Sequence, residues 1–77
     1  MRKSYEMYER IITERGLSSY KVGLETGIPG SMFSLWKLKG IVPKWERMNR
    51  VAKYLSTEEH PLTPEDFYRQ DLEENDK

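Results

Sequence analysis

Apolar residues recur at helical spacing in two segments of the chain. Tyr5, Tyr8, Ile11 and Ile12 mark one face of residues 3–15, whose other positions are mostly charged or polar. The period is clearest in residues 44–55, where the apolar positions are Trp45, Met48, Val51, Ala52 and Leu55. Each segment therefore predicts an amphipathic helix whose apolar face packs on a core.

Turn-forming residues divide the region between these two segments. Helix ends are predicted where a glycine can adopt the left-handed cap conformation, at Gly16, Gly27 and Gly40. A second helix is expected to begin at Ser18 or Ser19, whose hydroxyl can cap it. A third begins at Pro29 or Gly30, because proline is accepted only at the edge of a helix.

Aromatic spacing and a second start signal complete the pattern. Phe33 and Trp36 lie three residues apart and are expected to point together into the core, as is Trp45. Thr63 and Pro64 predict the start of a short fifth helix, through residues 67 and 68. Residues 71–77 are polar and acidic and are expected to be a disordered tail. The prediction is one all-α, five-helix domain over residues 1–70.

Charge is distributed unevenly along a chain whose formal net charge is zero. Residues 1–56 carry eleven Lys and Arg against five acidic residues, a net charge of +6, and residues 57–77 carry −6. Such asymmetry is a hint of nucleic-acid binding by the basic part, although a solvated surface with an acidic end accounts for it equally well.

Composition argues against catalysis. The absence of cysteine excludes disulfides and thiol chemistry, and the single histidine, His60, is expected in a loop beside Pro61. We expect no metal, no cofactor and no small-molecule substrate, and no phosphate-cradling loop or nucleophile motif is present. No apolar run could span a membrane and no signal-peptide pattern opens the chain, so the expected location is the cytoplasm.

Residues 18–40 have the form of a helix-turn-helix, in which two helices cross closely around a short turn containing glycine. Gly23 supplies the small residue at the crossing and Gly27 the sharp turn. Ile28 would tuck inward, while Phe33 and Trp36 anchor one face of the second helix. The opposite face would then be free to enter a DNA major groove.

This pattern resembles the lambdoid-phage repressor and Cro (XRE-like) family of helix-turn-helix proteins. The matching positions are Ser19, Val22, Gly23, Gly27, Ile28, Ser31, Phe33, Ser34, Trp36 and Lys37. The resemblance extends over all five predicted helices and includes residues 50–55, which look like the family's fourth helix. It implies a lambda-repressor-like fold and a DNA-binding transcription regulator.

The resemblance also implies site residues. Base reading would fall to Gly30, Ser31, Met32, Ser34 and Leu35. Phosphate contacts would come from Ser19, Tyr20, Lys21, Lys37, Lys39 and Lys44. The family often has Gln, Asn, Arg or Ser at the base-reading positions, so apolar Met32 and Leu35 predict thymine-methyl contacts and reliance on DNA shape.

The expected partners are double-stranded DNA and a second copy of the chain, because dimers double the recognised site. By analogy the dimer surface is expected near the fourth and fifth helices, with Phe67 and Tyr68 exposed. An alternative is a protein-interaction module on the same fold, from a phage or mobile element, which the outward apolar residues and the acidic end favour. An enzyme is the least favoured class.

Overall fold

Five α-helices make up the structure, a computed structural model that describes residues 1–75. They are α1 (Lys3–Glu14), α2 (Ser19–Thr26), α3 (Gly30–Lys39), α4 (Trp45–Leu55) and α5 (Pro64–Asn75). No strand occurs within residues 1–75, so the all-α, five-helix prediction is confirmed. None of the helices in this range combines the length and the apolar character needed to cross a lipid bilayer.

An aromatic cluster forms the centre of the core. The Trp36 ring lies 5.1 Å from that of Tyr8, 5.3 Å from that of Tyr5 and 6.4 Å from that of Phe67, between ring centroids. Tyr8 also stacks on Phe33 at 5.4 Å. These rings come from α1, α3 and α5, so α3 is held in place by aromatic contacts from both ends of the chain.

A buried hydrogen-bond network joins the same three helices. Asp71 Oδ1 accepts from the Ser4 backbone amide at 3.0 Å, and Asp71 Oδ2 accepts from Ser4 Oγ at 2.7 Å. Ser4 Oγ in turn accepts from Trp36 Nε1 at 3.1 Å. Because every buried donor in this network has a partner, its polar groups do not bear an uncompensated desolvation cost.

This network corrects the expectation of a disordered tail beginning at residue 71. Helix α5 continues to Asn75, and Asp71 is buried against α1. The acidic composition suggested a solvated end, but the partner of Asp71 lies 67 positions away in the sequence. The part of that expectation that falls on Asp76 and Lys77 lies outside the described residues.

Two aromatic residues are placed differently from the sequence prediction. Trp45 was expected in the core but is 56% exposed at the start of α4. Phe67 was expected on an exposed dimer surface but is fully buried, in contact with Trp36. Tyr68 is half-buried, and its hydroxyl donates to the Pro43 carbonyl at 2.8 Å. The expectation that Phe67 is exposed is therefore wrong, because its side chain is covered by the core and is not available to a dimer surface.

Candidate nucleic-acid interface

The close packing of α2 against the turn that precedes α3 depends on Gly23. A Cβ atom at this position would lie 2.9 Å from the Ile28 carbonyl oxygen, closer than side chains and backbone normally approach. The Gly23 carbonyl also accepts from the amides of Gly27, at 2.9 Å, and of Ile28, at 3.2 Å. Close approach of another backbone, the reason predicted for this glycine, is confirmed.

The turn between α2 and α3 contains one left-handed residue, Gly27. Gly27 has φ of +75°, a conformation that costs glycine little and other residues more. Ile28 follows it and is buried, and Pro29 precedes the first residue of α3. The bend thus orients α3 with one face on the core and the other towards solvent.

The buried face of α3 is wider than the sequence predicted. Phe33 and Trp36 are buried, as expected. Met32 was expected to face outward and read bases, but it is only 7% exposed, which corrects that assignment. Met32 lies four residues before Trp36, so these two side chains share a side of the helix.

The solvent face of α3 contains the remaining base-reading candidates. Gly30, Ser31, Ser34 and Leu35 are all exposed. Leu38 is exposed as well and had not been singled out from the sequence, although its position three residues after Leu35 puts it on the same side. This face offers two hydroxyls, which can bond base edges, and two leucines, which can contact thymine methyls.

The start of α2 presents the first group of phosphate candidates. Ser18 Oγ accepts from the Lys21 amide at 3.2 Å, which caps the helix. Tyr20 and Lys21 are exposed, and Lys21 Nζ lies 3.9 Å from a Glu25 carboxylate oxygen. Exposed pairs at this distance contribute little, so Lys21 can turn to a phosphate at small cost.

Ser19 has a structural role that its sequence position did not indicate. Its Oγ is 2.8 Å from the Tyr8 hydroxyl, and the residue is half-buried between α1 and α2. This hydrogen bond links α2 to the core at the end where phosphate would approach. Any phosphate contact of Ser19 would have to use the remaining hydrogen-bonding capacity of that hydroxyl.

The second group of phosphate candidates follows α3. Lys37, Lys39 and Lys44 are exposed, and Lys37 Nζ lies 3.9 Å from a Glu9 oxygen. Arg2 joins this group, because its Nε donates to the Gly40 carbonyl at 3.2 Å. Sequence reasoning missed Arg2, since 38 positions separate it from Gly40 and no local pattern links them.

Burial raises the pKa of Tyr8 from 10.0 to about 12, despite the opposing effect of its hydrogen bond to Ser19. The folded state thus holds the phenolic proton more tightly than the unfolded state does. The stabilisation is complete below pH 10 and is lost as the pH rises through about 12. We expect the free energy of unfolding to fall across this pH interval. Circular dichroism at a fixed urea concentration measures the resulting loss of helix.

The matched variant for this pH prediction is Tyr8→Phe. The difference between the tyrosinate absorbance titrations of the two proteins isolates the ionisation of Tyr8. A difference curve centred near pH 10 would contradict the prediction, because it would mean that burial does not protect the phenol.

Among the side chains that the structure describes, those of residues 1–72, no three from His, Cys, Asp or Glu lie close enough together to hold a metal ion. Comparison of the chain with protein-family models, curated proteins and solved structures finds no match.

Proposed function

We propose that this chain is a sequence-specific double-stranded DNA-binding transcription regulator with a lambda-repressor-like fold, acting in the cytoplasm. Helix α3 would lie in the major groove, with Ser31, Ser34 and Leu35 towards the base edges. The observation that carries the proposal is the tight turn at Gly23 and Ile28, followed by a helix α3 whose hydroxyl-bearing residues Ser31 and Ser34 are exposed.

Charge around α3 supports the same proposal. Exposed lysines come before and after this face in the chain, Lys21 on α2 and Lys37, Lys39 and Lys44 at the end of α3 and beyond it. Phosphate contacts on both sides of a groove set the register of a helix within it. Because α3 has only two hydroxyls that can bond base edges, discrimination between DNA sequences would also depend on contacts with thymine methyls and on DNA shape.

The proposal is tested by selecting bound sequences from random duplex DNA and then measuring affinity for the best site by fluorescence anisotropy. We expect an enriched site, and a plot of log affinity against log salt with a slope of about −3 to −4, from about 0.9 per lysine–phosphate contact. No enriched sequence together with salt-independent binding would contradict it.

A protein-interaction module on the same fold is the second candidate. The observation that favours it is the exposure of Leu35 and Leu38 on the outer face of α3, since exposed apolar side chains in a group are common at protein interfaces. In that case the selection returns no enriched DNA sequence.

A further inference from the structure

An apolar groove lies where α3, the loop after it and the first turn of α4 meet. Its volume is about 380 Å³. The apolar part of its lining comes from Met32, Leu35, Ile41, Val42 and Pro43. We infer that this groove binds a small carboxylic acid with an apolar body of about six to ten carbon atoms, and that the bound acid lowers the affinity of the chain for DNA. The second half of this inference rests on the proposed function, and the first half does not.

The size of the groove suits a small molecule. Pockets that bind small ligands have volumes of about 300–1,000 Å³, and a cavity of about 150 Å³ accommodates benzene. A volume of 380 Å³ therefore has room for one ring or for a chain of about six to ten carbon atoms.

The exposed apolar surface of the groove is too small to be the centre of a protein interface. Met32 is only 7% exposed and Pro43 is buried, so both lie at the floor of the groove. Leu35 and Ile41, which are 43% and 55% exposed, are left to contact a partner protein. Two such side chains supply far less than the roughly 800 Å² that each protein contributes to a standard interface. A small ligand inside the groove can contact the floor as well.

The charged residues of the groove favour an anionic head group. They are Lys44, Glu46 and Arg47. Glu46 Oε2 accepts from Arg50 Nη2 at 2.7 Å, so the charge of Glu46 is balanced within the chain. Neither Lys44 nor Arg47 forms an ion pair with a side chain of residues 1–72. The groove thus places two cations, without acidic partners in that range, beside an apolar surface.

A carboxylate is the anion that these two cations fit. The guanidinium of Arg47 is a planar fork of N–H donors that matches the two oxygens of a carboxylate. Lys44 lies three positions earlier, at the N-cap of α4, where the helix dipole adds a smaller attraction for negative charge. An uncharged ligand would leave these attractions unused, and a cationic ligand would be repelled.

The groove shares two residues with the proposed DNA-binding surface. Leu35 is a proposed thymine-methyl contact and Lys44 a proposed phosphate contact, and both line the groove. A bound acid would cover Leu35 and neutralise Lys44, so these groups could not contact DNA at the same time. By linkage, the acid and the duplex must then weaken each other's binding by the same factor. The loss of one phosphate contact and one methyl contact predicts a factor of about ten.

Isothermal titration calorimetry of the full chain with sodium octanoate, below the concentration at which micelles form, tests the binding site. We expect one octanoate per chain, with amide shifts in NMR spectra concentrated in residues 32–35 and 41–47. Octylamine, which has a chain of the same length and a positive head group, should not bind. Butanoate should bind about tenfold more weakly or worse, because it has less apolar surface to bury.

Two variants test the two parts of the groove. Arg47→Gln should weaken octanoate binding about tenfold by removing the charged contact with the carboxylate. Ile41→Ser should have an effect of similar size, because it removes apolar contacts with the chain of the ligand. Both residues are exposed, so the variants are expected to fold, and circular dichroism checks this.

Matched controls come from α5. Arg69→Gln and Leu72→Ser change similar side chains that are exposed and do not line the groove, so octanoate binding should be unchanged. No binding of octanoate, equal affinity for octanoate and octylamine, or a site that is insensitive to both Arg47→Gln and Ile41→Ser overturns the inference.

The effect on DNA binding is measured with the selected duplex by fluorescence anisotropy. Saturating octanoate should lower duplex affinity about tenfold relative to the same concentration of sodium chloride, and the decrease should be smaller for Arg47→Gln at that concentration. Octanoate that binds in the groove and leaves duplex affinity unchanged overturns the regulatory half of the inference.

The ligand site and the proposed function fail separately. If octanoate binds as described but no DNA sequence is enriched, the proposed function is wrong and the ligand site stands. If a DNA sequence is enriched but octanoate does not bind, the ligand site is wrong and the proposed function stands.

Discussion

Replacing Lys21 and Lys37 together with glutamate is expected to abolish specific duplex binding. Both lysines are exposed, one near the start of α2 and the other towards the end of α3, so the change reverses charge on both sides of the proposed groove-facing surface. Two phosphate contacts would be lost and two repulsions gained, lowering affinity by about 100-fold or more. Fluorescence anisotropy with the selected duplex at several salt concentrations measures the loss.

The salt dependence gives this experiment a second readout. Each phosphate contact that is removed should reduce the slope of log affinity against log salt by about 0.9. Single substitutions of Lys21 and Lys37 by glutamine, which remove charge without adding repulsion, should show this reduction at measurable affinity. Unchanged slopes would mean that these lysines do not contact phosphate.

A control pair with the same charge change separates local contact from overall charge. Lys53 on α4 and Arg69 on α5 are exposed and lie outside the proposed interface. Lys53→Glu with Arg69→Glu should leave more than half of the binding free energy in place, because distant exposed charges are screened. If both double variants lose affinity equally, the docking geometry proposed for α2 and α3 is wrong.

Trp36→Ala is expected to destabilise the protein enough to unfold much of it at room temperature. Trp36 is fully buried at the centre of the aromatic cluster and also donates to Ser4 Oγ. Replacing a buried tryptophan with alanine costs about 3–5 kcal/mol, and a domain this small has a free energy of unfolding near the lower end of about 5–15 kcal/mol. Urea denaturation followed by circular dichroism measures the change.

The other tryptophan provides the matched control. Trp45→Ala removes the same side chain from an exposed position, so its cost should be below about 1 kcal/mol when measured on the monomer. Trp36→Phe retains most of the ring and loses the hydrogen bond to Ser4, for an expected cost of about 1–2 kcal/mol. Equal effects of the two alanine substitutions would contradict the core described above.

The element pattern could be predicted from local signals. Helix ends at Gly16, Gly27 and Gly40 follow from the backbone freedom of glycine, and the start of α2 follows from a serine cap. These signals act over a few residues, so they can be recognised without knowing the tertiary structure. The burial of Phe33 and Trp36 could also be predicted locally, because residues three positions apart on a helix lie on the same side.

The site was predicted less completely, because a helical period does not show where the edge of a buried face falls. Met32 lies at that edge on α3 and is buried, whereas Trp45, at the edge on α4, is exposed to water. Arg2 reaches Gly40 and Ser19 binds Tyr8 only because α1 packs beside α2 and α3. Contacts of this kind join distant segments of the chain, so they produce no recognisable pattern in the local sequence.

By itself the amino-acid sequence determined the number and type of the elements, the turn at Gly27 and the need for a small residue at Gly23. These follow from the conformational preferences and sizes of neighbouring residues. Only the tertiary structure decided that Phe67 is buried, that Trp45 is exposed and that Asp71 is hydrogen-bonded to Ser4. The reason is that burial depends on which helix packs opposite a side chain, and that is set by the whole chain.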